Sequence, residues 1–250
     1  MDDTELVQRD VDIDAAIADL ARRYRAAGNL GVQVLNVLNW PAEGVMDRLP
    51  ENARARLETA TVRGLEAAMS AASGSRSLVK DQKPWVNTAT TTMVGVVGGL
   101  GGLTTALAEL PLTVTMLMRS VQAVAAEHGF DPDEEQTRKD ALLVFAAAGP
   151  MVQGKTPDLT FLSSRVTLTG VNVYVGIGLI APRLAVVLGR KLAAQTIPVI
   201  GAATAAATNY SYSGYYHEMA QVVFGLRRLA DQTGTPFDAL VELLAARLDD

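Results

Sequence analysis

From Pro84 to Ala108, from Val166 to Pro182 and from Leu192 to Tyr216 the chain carries no formal charge. These three stretches are rich in Gly, Ala, Thr and Val rather than in Leu and Phe. Such segments are apolar enough to leave water and thin enough for backbones to approach closely. They belong in helices packed inside a helical core or against lipid. In the first stretch Gly95, Gly98, Gly99 and Gly102 recur at helical spacing and share one face, which admits a neighbouring helix at short range. At a rise of about 1.5 Å per residue, about 20 residues cross a hydrocarbon layer roughly 30 Å thick, so the first and third stretches are long enough to span. Their Thr, Gly and Asn content, with Pro198 and the serines of the third stretch, makes insertion only marginally favourable. Three placements stand open: burial in a compact helical protein, a membrane span, and peripheral or hairpin-like insertion into one leaflet.

Aromatic residues make up only 5% of the chain, so its core is aliphatic and small-residue in character, which favours helix-on-helix packing. A net charge of −5 and a pI near 5.1 argue against a nucleic-acid partner, which calls for a basic domain. The absence of cysteine removes disulfides, thiolate metal sites and cysteine nucleophiles together, and fits a reducing cytoplasm. The acidic segment from Met1 to Asp19 lacks the basic and apolar regions of a secretory signal, so a cytoplasmic address is expected. Basic residues bracket the uncharged stretches: Arg76, Lys80 and Lys83 before the first, Arg165 before the second, and Arg183, Arg190 and Lys191 before the third. Charges excluded from buried helices gather at helix ends, and cations in those places also suit anionic lipid head groups. The candidate membrane-surface set is therefore Arg76, Lys80, Lys83, Arg183, Arg190 and Lys191.

The remaining punctuation is helical. Val11, Ala15, Ala18 and Tyr24 follow helical spacing until Gly28-Asn29 supplies a stop, and a further helix runs to Asn39. From Glu51 to Ala72, Leu57, Thr61, Gly64, Leu65 and Ala68 fall on one face, and Ser73 to Ser77 reads as a loop. Pro111 suits the first turn of a helix that closes at His128-Gly129, with Gly129 left-handed and Phe130 folding back. Asp131-Pro132-Asp133-Glu134 then reads as N-cap, first turn and capping box of the next helix. Thr156-Pro157-Asp158 and Thr235-Pro236-Phe237-Asp238 repeat that start. Between Arg165 and Leu179 the Val, Thr and Tyr content suits a strand, but Gly176 and Gly178 favour a buried helix. The expected fold is all-α: a compact multi-helix bundle with a central layer of Gly/Ala/Thr-rich hydrophobic helices.

Chemistry is sparse. His217-Glu218 lacks the spacing of an HExxH helix, and no Gly-x-Ser-x-Gly elbow or Walker lysine is present. Glu109, Glu127, His128, His217 and Glu218 could converge on a metal, but their spacing does not require it, and no metal or cofactor is expected. His128 suits a helix C-terminus, where imidazole meets the dipole. Four of the six tyrosines lie between Asn209 and Glu218. Pairing an apolar ring with a polar tip, they suit a membrane interface, the mouth of an apolar pocket, or the cap of a core. A ligand site, if present, is expected at Asn209, Tyr212, Tyr216 and His217.

Leu110-Pro111-Leu112, running through Leu117 to Val121 and on to His128-Gly129-Phe130-Asp131-Pro132, resembles a recurrent segment of the bacterial EcsC family. Gln195 to Ala202, then Asn209-Tyr210 and the Met219-Ala220 helix, form a second similar segment. The resemblance runs from Val86 to Leu229, and His128 stands where an aromatic residue is expected. It implies an all-helical cytoplasmic protein at the inner membrane, linked by name to an ABC-transporter operon and without an established reaction. Residues 1–80 are then expected as amphipathic helices packing on an EcsC-like core, residues 81–250, in one structural domain. The function this favours is a non-enzymatic, membrane-associated accessory protein binding lipid or an integral-membrane partner such as a transporter. Two alternatives stand beside it: a hydrolase of lipid or peptide using His217 and Glu218, and a soluble carrier of a hydrophobic small molecule.

Overall fold

A computed structural model describes residues 11–38, 51–75, 102–147, 149, 159–195 and 201–249, and every regular element among them is an α-helix. In chain order these are α1 (Ile13–Leu38), α2 (Glu51–Ser75), α3 (Gly102–Glu127), α4 (Glu135–Val144), α5 (Thr160–Thr169), α6 (Val173–Gln195), α7 (Gly201–Thr233) and α8 (Phe237–Asp249). The expected all-α bundle is what the chain forms. Its hub is α7, which packs against α1, α3, α4, α6 and α8. The third uncharged stretch supplies the first half of this helix. The first stretch lies outside the described residues from 84 to 101, as does Thr156-Pro157-Asp158.

Antiparallel packing of α1 on α7 follows from side chain meeting no side chain. Leu20 seats at Gly225 and Leu30 at Gly214, where an added β-carbon would stand 2.5 Å and 2.8 Å from the leucine methyls. Between these seats Arg23 pairs with Glu218 at 3.2 Å, and at the Leu30 end the Ser211 hydroxyl donates to the Leu30 carbonyl at 2.9 Å. These contacts carry α1 through Gly28-Asn29 as continuous helix, so the stop expected there does not occur. Tertiary packing overrides a weak local break. The buried apolar residues near the start and middle of α1 are Ile17, Leu20, Ala21 and Ala27; of the residues expected at helical spacing, Val11 and Tyr24 pack half-buried against the core and Ala15 is exposed.

On α2 the expected face is the buried one: Leu57, Thr61, Gly64, Leu65 and Ala68 all turn inward. The helix runs on to Ser75 through residues expected to begin a loop. Pro111 lies inside α3, not in its first turn, because the helix starts upstream at Gly102. The end of α3 is as expected. Gly129 has φ +86°, its N–H donates to the Ala126 carbonyl, and the Phe130 N–H donates to the Ala125 carbonyl, the paired bonds of a Schellman closure.

The start of α4 differs. Asp131 Oδ1 accepts from the Asp133 N–H at 2.9 Å, so this residue builds a turn and the helix begins at Glu135. Glu134 makes no capping bond; its carboxylate is drawn to Thr137 and Arg227. The helical reading of Arg165 to Leu179 holds, with a break at Gly170–Asn172 where Asn172 Oδ1 accepts from the Val175 N–H and caps α6.

Candidate functional site

The tyrosine-rich segment forms the middle of α7. At about 100° per residue, Asn209, Tyr212 and Tyr216 fall on one face, and all three are buried. The Tyr212 hydroxyl donates to the Val187 carbonyl of α6 at 2.9 Å. The Tyr216 ring lies 4.9 Å from Phe145 and meets Tyr215 edge-on at 5.3 Å, while its hydroxyl finds no hydrogen-bond partner among the described residues. Burial pushes both phenols above their ordinary range, so they stay protonated. His217 is half-buried on another side of the helix, and Glu218 points to Arg23. The structure thus gathers Asn209, Tyr212 and Tyr216 and leaves His217 and Glu218 apart from them.

Of the basic residues, Arg76, Lys80 and Lys83 lie outside the described residues. Arg183 is exposed on α6, Arg190 is half-buried, and Lys191 is buried with its ammonium 5.8 Å from the centre of the Tyr212 ring. Among the described residues no group of three or more His, Cys, Asp or Glu could hold a metal ion.

Two features were missed by sequence reasoning. The first is a buried ionic node. Asp140 on α4 is 1% exposed and accepts from Arg165 of α5 at 3.1 Å, Arg227 of α7 at 3.1 Å and Gln136 at 3.0 Å. Arg227 also donates to Thr137 and Glu134, and Phe130 covers its face at 4.1 Å; Phe237 of α8 covers Arg165 at 4.4 Å. Burial pushes the Asp140 carboxyl up, against the opposing pull of the two guanidinium groups. The node locks four helices to one another. Nothing in the spacing of Asp140, Arg165 and Arg227 along the chain announces it.

The second is the outer face of α6. Tyr174, Val175, Leu179 and Val186 are exposed, at 62%, 48%, 46% and 40%, and helical spacing puts them with Gly178 and Pro182 on one stripe. Val166 on α5, 67% exposed, adds to the apolar surface. The opposite face of α6 is core: Ile177, Ile180, Leu184 and Leu188 are buried, and Gly176 sits against Leu142 and Leu168. From Val173 to Lys191 the helix is long and apolar enough to cross a membrane, with a mean hydropathy of 1.5, yet 56% of it is buried in the protein. A sequence signal was available. Between Asp158 and Glu218 the chain has no acidic residue but carries Arg165, Arg183, Arg190 and Lys191, although the whole is net negative.

The described residues thus form an all-α bundle with an exposed apolar face on α6, edged by Arg183. The chain belongs to the EcsC protein family, which it matches over residues 75–229. No curated protein and no solved structure matches it.

Proposed function

We propose that this protein is a membrane-associated accessory protein that lies on an anionic bilayer through the outer face of α6. The observation that carries this reading is the exposed stripe of Tyr174, Val175, Leu179 and Val186. Exposed apolar residues are ordinary when scattered, and informative when they align on one helix. Fully burying a Val or Leu side chain is worth about 1.5–3 kcal/mol, so a few half-exposed ones supply only several kcal/mol. That suits reversible adsorption with electrostatic help. In the acid-free segment from 159 to 217, Arg183 and Arg190 supply the charge that complements anionic lipid, while Arg165 is held by Asp140 and Lys191 is buried. Lying on the surface, rather than crossing it, keeps Ile177, Ile180, Leu184 and Leu188 in the core.

Co-flotation with liposomes tests the reading. The wild-type protein is expected to float with vesicles containing phosphatidylglycerol, and a Val175→Asp/Leu179→Asp double variant, folded by circular dichroism, is expected to remain at the bottom. A wild type that stays at the bottom at low salt overturns it.

A further inference from the structure

The edge of the apolar stripe carries a pair of groups that keep donors unused among the described residues. Arg183 of α6 gives one Nη hydrogen to the Ser164 Oγ of α5 at 3.0 Å, and the two residues bridge the adjoining helices. Ser164 is an acceptor in that bond, and among the described residues its own O–H has no acceptor. Helical hydroxyls commonly spend that hydrogen on the carbonyl four residues back. Thr61, Thr115, Thr169 and Thr233 all do so here, at 2.7–2.9 Å, and Ser164 does not. The bond to Ser164 ties the guanidinium of Arg183, an exposed residue, to α5. Around the pair the outward residues of α5 are Ser163, Val166 and Thr167, none of them charged. Arg190 follows two turns after Arg183 on the same flank of α6.

We infer that Arg183 and Ser164 form a phosphate-binding edge, and that its occupant is the phosphodiester head group of an anionic phospholipid. Guanidinium and hydroxyl donors side by side match phosphate oxygens. The neighbouring stripe places the acyl region of the same lipid against Tyr174, Val175 and Leu179, which a free phosphate lacks. Arg190 adds a second cation within reach of the same leaflet. This inference rests on the membrane reading above and names the chemistry that the surface selects.

Binding is measured with vesicles of pure phosphatidylcholine and with vesicles containing phosphatidylglycerol, and separately by titrating inorganic phosphate. The wild type is expected to prefer the anionic vesicles, Arg183→Ala to weaken that binding about fivefold, and Ser164→Ala to weaken it about two- to threefold, with binding to phosphatidylcholine unchanged. Arg183→Lys is expected to recover charge but not the full affinity. Equal binding of the wild type to both vesicle types overturns this inference and the anionic preference, and leaves standing only adsorption through the apolar face of α6; binding to neither overturns both. Millimolar phosphate that binds at Arg183 without any vesicle preference overturns the lipid as occupant. If Arg183→Ala does not fold, Ser164→Ala decides: affinity for anionic vesicles equal to wild type overturns the inference.

Discussion

Gly64 of α2 lies so close to Val114 of α3 that an added β-carbon would stand 2.9 Å from the Val114 Cβ and 3.1 Å from the Pro111 Cα. Neither atom is the free end of a side chain, so neither can swing away. Gly64→Ala therefore gains up to about 1 kcal/mol of helix propensity but forces the two helices apart at a cost of about 1–3 kcal/mol. The net expectation is a lower urea midpoint. Gly28 in α1 is the control. It is exposed, and a β-carbon there meets nothing within 4 Å, so Gly28→Ala is expected to stabilise by about 0.5–1 kcal/mol and thereby raise the midpoint.

Tyr212 and Tyr216 are both buried and differ in one bond. Tyr212→Phe removes the hydroxyl that serves the Val187 carbonyl and is expected to cost about 1 kcal/mol. Tyr216→Phe removes a hydroxyl without a hydrogen-bond partner among the described residues, and is expected to be neutral or to stabilise by up to about 1 kcal/mol. Chemical denaturation of the two variants, measured side by side, checks the contrast.

What was legible in the chain was periodicity. The face of Leu57, Thr61, Gly64, Leu65 and Ala68, and the Gly129 closure, follow from local spacing and from one residue's tolerance of positive φ. Helix ends were less legible wherever a distant group decided them. Leu30 carries α1 past Gly28 because Gly214 receives it, and Glu134 leaves the expected cap because Arg227, on a helix far along the chain, competes for its carboxylate. The same reason hides the Asp140 node, whose members meet only in three dimensions. For Tyr212 and Tyr216, ring and hydroxyl suit core and pocket equally well, and only burial tells where they sit. The acid-free run from 159 to 217 was open to reading, but net charge over the whole chain obscures it.

Asp140 is the keystone of the node, and its loss strands two arginines. Asp140→Ala is expected to destabilise by about 3 kcal/mol or more, because Arg227 and Arg165 then keep their desolvation without their acceptor. Adding Arg227→Met to Asp140→Ala is expected to restore part of the loss, which a thermodynamic cycle measures.

His128 makes stability depend on pH. Its Nε2 lies 2.8 Å from Gln221 Oε1, and Gln221 donates its amide to Glu127, so the imidazole is the donor in that bond. Burial, with help from the cations Arg228 and Arg23, lowers its pKa below the ordinary value of 6.5. The folded state thus prefers the neutral ring. Its contribution is complete above pH 6.5 and is lost as the pH falls through the lowered value. Denaturation midpoints between pH 7.5 and 5, compared with His128→Gln, are expected to fall more steeply for the wild type.

The absence of cysteine allows the α6 face to be probed directly. An environment-sensitive fluorophore is attached to Val175→Cys and, as control, to Glu242→Cys, an exposed position on α8. With vesicles containing phosphatidylglycerol, the label at position 175 is predicted to shift to the blue and to become shielded from aqueous quencher, while the label at 242 does neither. Flotation of the protein with an unchanged, fully quenchable label at position 175 would contradict the account.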